Sequence, residues 1–346
     1  MSREGAASGA SARRAVSDAE RDALATQFRE HQRFLWGLCY RLTGSAADAD
    51  DVVQATFVRA LEHPPERTDE PWRPWLTRVA LNLGKDLLRR RKRRGYVGPW
   101  LPSPLEIDEQ AIASFEPELA SGTTTEGRYD MLESVSMAFL LALEALTPKQ
   151  RAVLLLRDVF DYTVAETADA LGVSEADVKT THHRARRAME SYDRQRCRPT
   201  REVQEKTRDA VTRLLAALTT GDTEAAERVL APSVVALTDG GGEYLAARQP
   251  VIGRDRVLRF FVSILRKRPG VLTSRATVIN GLPALVSEYS EDAPRLAPRQ
   301  VTCFTIDAEG RIDRIFSVLA STKLTAIRFG DAGSEASSAR DATPPA

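Results

Sequence analysis

Cations dominate the residues of this chain that could do chemistry. Lys85 to Arg94 holds seven basic residues against the single acid Asp86, six of them consecutive from Arg89. The charged residues of Lys179 to Arg198 are also mostly basic. Such local runs bind phosphate, so nucleic acid is the first partner to consider. Adjacent like charges repel, which makes a merely solvated face the weaker account of Arg89–Arg94. Upstream stands Pro71-Trp72-Arg73-Pro74-Trp75-Leu76-Thr77-Arg78-Val79-Ala80-Leu81-Asn82. Rings that stack on bases, beside cations that hold phosphates, suit single-stranded DNA. The plainer alternative puts Trp75 in a core.

Acid–base chemistry has less support. The four histidines are His31, His63, His182 and His183, so residues 203–326 contain none. Asp239, Glu243, Asp255 and Glu288 are the acids a catalytic site there would use. Asp239 opens the run Gly240-Gly241-Gly242, where a turn former is the simpler reading. That run follows a strand pattern without a phosphate-loop signature. Cys39, Cys197 and Cys303 are far apart and form no paired motif, which argues against a zinc site or a disulfide framework and fits a reducing cytoplasm. No catalysis, metal or cofactor is expected.

The cations need elements to aim them. Thr147-Pro148-Lys149-Gln150-Arg151 starts an apolar helix, Tyr162 to Ala168 leads a second, Leu171-Gly172-Val173-Ser174 makes a turn, and Glu175 to Met189 supplies a third. This is a helix-turn-helix pattern, whose last helix enters a DNA major groove. Ala165 and Ala168 would allow close helix approach, and Val178 and Ala185 would face the core. Lys179, Thr180, Thr181, His183, Arg184 and Arg187 would point outward to bases and phosphates. His182, four residues after Val178, falls on the buried side as a structural histidine. A further helix begins at Ser45 with Asp48, Asp50 and Asp51. Acids near a capped, positive helix start explain part of this pattern. A protein-docking face explains it as well.

With 346 residues, 42% hydrophobic and 28% charged, the chain has room for two or three domains. The net charge of +1 hides the local patterning. Residues 1–19 and 330–346 read as disordered, and Met1 to Ser17 lacks the apolar stretch of a secretory signal. Met137 to Leu143 is too short an apolar run to span a bilayer, so a soluble protein without a membrane partner is expected. Phe28, Leu35, Leu38 and Leu42 mark one helical face in residues 20–94, and Val52, Val53, Phe57 and Leu61 another. Prolines and a Ser/Gly/Thr run make 95–130 a linker. From 203 onward, helices Val203–Thr220 and Thr223–Leu230 precede a strand at Val234–Thr238. A helix from Gly253 to Lys267 (apolar face Val257, Phe260, Phe261, Ile264) and β-branched runs at 271–279, 284–289 and 300–306 follow. The Asp307–Gly310 turn and Arg311–Leu319 close a hairpin. That order predicts an α+β domain with a mostly antiparallel sheet.

Cys39-Tyr40-Arg41-Leu42-Thr43-Gly44-Ser45 through Asp51-Val52-Val53-Gln54, with Trp75 to Asn82 and Asp86, resembles region 2 of bacterial extracytoplasmic-function sigma factors. Leu146 to Arg151 and Val178-Lys179 through His183-Arg184-Ala185-Arg186 resemble region 4. Tyr96-Val97-Gly98-Pro99-Trp100-Leu101-Pro102, Asp239-Gly240-Gly241-Gly242 and Asn280-Gly281-Leu282-Pro283 look like signatures of a subgroup with a C-terminal SnoaL-like domain. Against that subgroup's pattern, Glu243 stands where lysine is usual and Ala320-Ser321-Thr322-Lys323-Leu324 ends differently. Ala55 replaces an acid and His182 a leucine.

The resemblance implies a multidomain fold: two all-α helical sigma domains, the second a helix-turn-helix, followed by an α+β SnoaL-like cone-shaped domain. Region 2 would cover 20–95, a linker 96–130, region 4 131–195 and the SnoaL-like domain 203–326. Core RNA polymerase would bind at Asp48, Asp50, Asp51, Gln54 and Phe57. Promoter DNA would meet Lys179, Thr180, Thr181, His183, Arg184 and Arg187 upstream, and Trp72, Trp75, Arg78, Asn82, Arg89 and Arg90 downstream. Trp100, Leu101, Pro102, Asp239, Gly240, Gly241, Gly242, Asn280, Gly281 and Pro283 would be regulatory, with the fused domain in place of a separate anti-sigma partner. A ligand-sensing or catalytic domain fused to a DNA-binding regulator is the competing expectation.

Overall fold

The computed structural model describes residues 18–65, 71–106, 129–196, 198–267, 270–290 and 295–330. The expectations for residues 1–17, most of 107–130 and 331–346 fall outside them. Three helices come first: α1 (Asp18–Thr43), α2 (Ala46–Glu62) and α3 (Trp72–Arg94). The Ser45 side chain accepts from the Asp48 N–H and so caps α2. Gly44, at φ +68°, makes the break between α1 and α2. Leu35, Leu38 and Leu42 are buried against Val52, Val53, Leu76 and Leu81. Leu61 departs from its expected apolar face: it is 39% exposed, in the last turn of α2.

A second helical group holds α4 (Met137–Ala142), α5 (Pro148–Asp158), α6 (Val164–Leu171), α7 (Glu175–Ala188) and the single turn α8 (Glu190–Asp193). Thr147 with Gln150, and Thr163 with Glu166, form reciprocal capping boxes at α5 and α6. Gly172 ends α6 in the left-handed region and Ser174 caps α7, which fixes the helix-turn-helix angle locally. Both helical groups share one apolar core.

The C-terminal part has α9 (Arg201–Thr220), α10 (Thr223–Val229), α11 (Arg254–Lys267) and six strands: β1 (Leu230–Asp239), β2 (Val251–Ile252), β3 (Val271–Ile279), β4 (Leu282–Tyr289), β5 (Arg299–Ile306) and β6 (Ile312–Val318). They form one sheet of order β2-β1-β6-β5-β4-β3, parallel only between β1 and β6. This is an α+β domain after two helical ones. Alternation gives the sheet two buried faces. Val234, Ala236, Leu285 and Phe304 meet α9–α11 on one. Val286, Val301, Cys303 and Phe316 on the other pack on Leu101 and Met137 from outside the domain. Residues 101–105, expected as linker, run without helix or strand and are buried. Among the described residues no helix is long and apolar enough to cross a membrane.

Candidate nucleic-acid interface and interdomain clamp

On α7 the Lys179, Thr180, His183, Arg184 and Arg187 side chains are exposed. Thr181 is the exception: it is 8% exposed and donates to Asp177 Oδ1 at 3.2 Å. It lies one turn from the buried Val178 and Ala185, on the packed edge of the helix. Ala165 is exposed, so only Ala168 serves close packing. His182 Nε2 sits 2.9 Å from Asp158 Oδ1, joining α7 to the end of α5.

On α3, Trp72 and Trp75 are half-buried, their rings edge to face at 6.4 Å. Asn82 and Arg90 are exposed, and Arg89 pairs with Asp86 at 2.8 Å. Arg78 instead reaches the helix-turn-helix, donating from Nη2 to the carbonyl and carboxylate of Asp169 at 2.7 and 2.6 Å. On α2, Asp51 and Gln54 are exposed and Asp50 accepts from Trp36 Nε1 at 2.7 Å. Burial raises the Asp48 carboxyl, against the pull of Arg91. Phe57 is 6% exposed, edge-on to Phe28. It belongs to the core and presents no side chain for docking.

The residues around the three signatures converge. Asp239, at the end of β1 and fully buried, accepts at Oδ1 from the Tyr96 hydroxyl (2.6 Å) and Gly241 N–H (3.0 Å). Its Oδ2 accepts from the Leu101 N–H (2.8 Å) and Lys323 Nζ (2.6 Å). Lys323 also donates to the Leu101 carbonyl at 2.5 Å. Trp100 has Arg91 4.0 Å and Lys323 4.2 Å from its ring. Burial lowers the Lys323 ammonium to about 8, which the Asp239 charge opposes. The glycines are there for space: a Cβ on Gly240 would stand 2.6 Å from the Tyr244 carbonyl, and one on Gly241 2.8 Å from Ala320 Cβ. Glu243 accepts from the Ser321 N–H and hydroxyl, which holds the Ala320–Leu324 turn.

Asn280, at φ +52° and 1% exposed, works as a second hub. Its N–H donates to the Leu105 carbonyl and its Oδ1 accepts from the Leu105 N–H, at 2.8 and 3.0 Å. Its Nδ2 donates to the Tyr40 hydroxyl of α1 (2.9 Å) and the Val135 carbonyl (2.7 Å). Gly281 is packed by Leu132 and Pro199, and its carbonyl accepts from Gln204. Pro102 and Pro283 are buried. Sequence reasoning did not single out Tyr40, Arg91 or Leu105, nor the Glu106–Arg275 pair at 2.5 Å. Tyr40, Tyr96 and Lys323 lay within quoted motifs, but nothing in a motif tells which member carries a long-range bond.

A helical lobe with an acid-fronted helix and a basic one is joined here to a helix-turn-helix, the architecture of a DNA-binding protein. Residues 27–94 match the family model for sigma-70 region 2, and 136–189 that for sigma-70 region 4. The chain is 30% identical over 312 residues to the ECF RNA polymerase sigma factor SigJ of Mycobacterium tuberculosis, spanning 87% of this chain and 93% of that protein. It is also similar to the ECF RNA polymerase sigma factor SigG of that species, 36% identical over 190 residues, 51% of this chain and 50% of that one. The crystal structure of the SigJ factor superposes with a TM-score of 0.66 at 26% identity, over 87% of this chain and 98% of that one. The chain belongs to the extracytoplasmic-function RNA polymerase sigma factors, with a SnoaL-like C-terminal domain. Its function is to bind core RNA polymerase and promoter DNA in transcription initiation.

Proposed function

We propose that the C-terminal domain stands in for a separate anti-sigma partner, setting how far apart the two DNA-binding lobes can move. The observation that carries this reading is Asn280. One side chain of the C-terminal domain bonds to Tyr40 of the first lobe, Leu105 of the connecting segment and Val135 at the head of the second. Asp239 supports it by closing on Tyr96, Leu101 and Lys323. Within this scheme the exposed Lys179, His183, Arg184 and Arg187 hold the upstream promoter element, and α3 holds the unpaired downstream element. Asp51 and Gln54 on α2 meet polymerase. Unstacking bases costs roughly a few kcal/mol, and stacking returns about 1–3 kcal/mol per base, so one or two contacts from Trp72 and Trp75 would offset it.

In vitro transcription with core polymerase tests the scheme, using the full chain and a form ending near residue 204. Changed promoter output with retained polymerase binding is expected. Identical transcription from both forms removes the regulatory role.

A further inference from the structure

Arg78 uses only part of its guanidinium. Nη2 makes both bonds to Asp169, while Nε is buried with no hydrogen-bond partner among the described residues. Such an atom is uncommon, because a buried N–H left unpaired loses its hydration with nothing in return. Thr77 Oγ1, the neighbour in sequence, and Thr167 Oγ1, two residues before Asp169, are likewise buried without partners. The Asn280 and Asp239 hubs contrast with this, since both oxygens of Asp239 and the oxygen and nitrogen of the Asn280 amide are engaged. Where the second lobe meets the C-terminal domain the Asn280 amide is thus fully engaged, whereas three buried polar atoms at the α3–α6 contact lack partners among the described residues.

The chemistry of the idle group says what would complete it. Guanidinium presents parallel N–H pairs matched to two oxygens of a phosphate or carboxylate. Asp169 supplies one carboxylate oxygen and its own carbonyl, both to the same nitrogen. The pair is open to solvent, its side chains 42% and 66% exposed, so it is a weak tie that a stronger anion can displace. We propose that Asp169 is a removable cover on Arg78, occupying the position that a phosphate of the downstream promoter strand takes when α6 leaves α3. The phosphate then engages Nε and an Nη together. This rests on the reading above that α3 binds the downstream element.

The test uses the full chain, free and as holoenzyme, with a single-stranded oligonucleotide of the downstream element. Asp169→Asn is expected to raise the free factor's affinity about two- to fivefold, the scale of an exposed ion pair. The salt dependence should steepen by about 0.7 in log–log slope. In holoenzyme, with the lobes engaged by polymerase, Asp169→Asn should have no effect. Arg78→Ala should abolish the gain when combined with Asp169→Asn, and Arg78→Lys, which keeps the charge but not the fork, should not rescue holoenzyme binding. Thermal unfolding of each variant shows that it is folded. Unchanged affinity and slope of free Asp169→Asn, with Arg78→Ala still impairing holoenzyme, overturns the cover and leaves the α3 reading standing. Holoenzyme indifferent to Arg78→Ala overturns both.

Discussion

Lys323 brings its ammonium 2.6 Å from the Asp239 carboxylate where the two side chains are 8% and 0% exposed. Pairing of buried charges compensates desolvation only when the remaining hydrogen-bond sites are filled, and here Tyr96, Leu101 and Gly241 fill them. Removing one partner leaves the other buried alone. Lys323→Ala should destabilise the clamp by about 3–5 kcal/mol. Urea unfolding of the full chain measures it, and Asp239→Asn combined with Lys323→Met should recover part of the loss. A loss under 1 kcal/mol would mean that water reaches the carboxylate.

The same lysine predicts a pH dependence. Its folded value, about 8, lies below the ordinary 10.5, so the unfolded chain holds this proton more tightly. Stability from this group therefore rises as pH increases from about 8 to 10.5, and the desolvation penalty is fully present below that window. Unfolding free energies of the native chain and Lys323→Met, compared across the window, should differ in slope. Parallel curves would show that Lys323 does not titrate there.

Gly44 combines a left-handed backbone with a close neighbour. A Cβ there would stand 2.5 Å from the Trp100 ring, at φ +68°. Gly44→Ala should expel Trp100 and cost about 1–3 kcal/mol. Tryptophan emission should shift to the red relative to the parent protein. An unmoved spectrum with unchanged stability would place the ring elsewhere in solution.

Arg184 and Arg187 are exposed on α7. Replacing both by Ala should weaken promoter binding by the holoenzyme and reduce the log–log salt slope by about 1.8, two phosphate contacts' worth. A salt titration of duplex promoter binding reads this directly, and an unchanged slope refutes the contacts.

Local physics made much of this molecule legible before any fold was known. Thr147 with Gln150, Thr163 with Glu166, and Gly172 followed by Ser174 act within a few residues, so their capping and turn roles follow from spacing. The strands at 271–279 and 300–306 and the Asp307–Gly310 turn are alternation and turn chemistry of the same range. Pairing at long distance has no such local trace. Asn280 meets Tyr40 across 240 residues and Arg78 meets Asp169 across 91. The parallel partnership of β1 with β6 joins strands far apart in the chain. Burial is equally global: Phe57 and Thr181 sit on helices whose exposed faces were readable, yet their own side chains were claimed by neighbouring elements. Sequence alone determined most segments that are helix, strand or turn, because those choices are settled by contacts a few residues apart; the short β2, which exists only by pairing with β1, was not among them. Only the tertiary structure decided which cation is covered and which carboxylate is the hub, because a charge or a hydrogen bond takes the nearest partner in space.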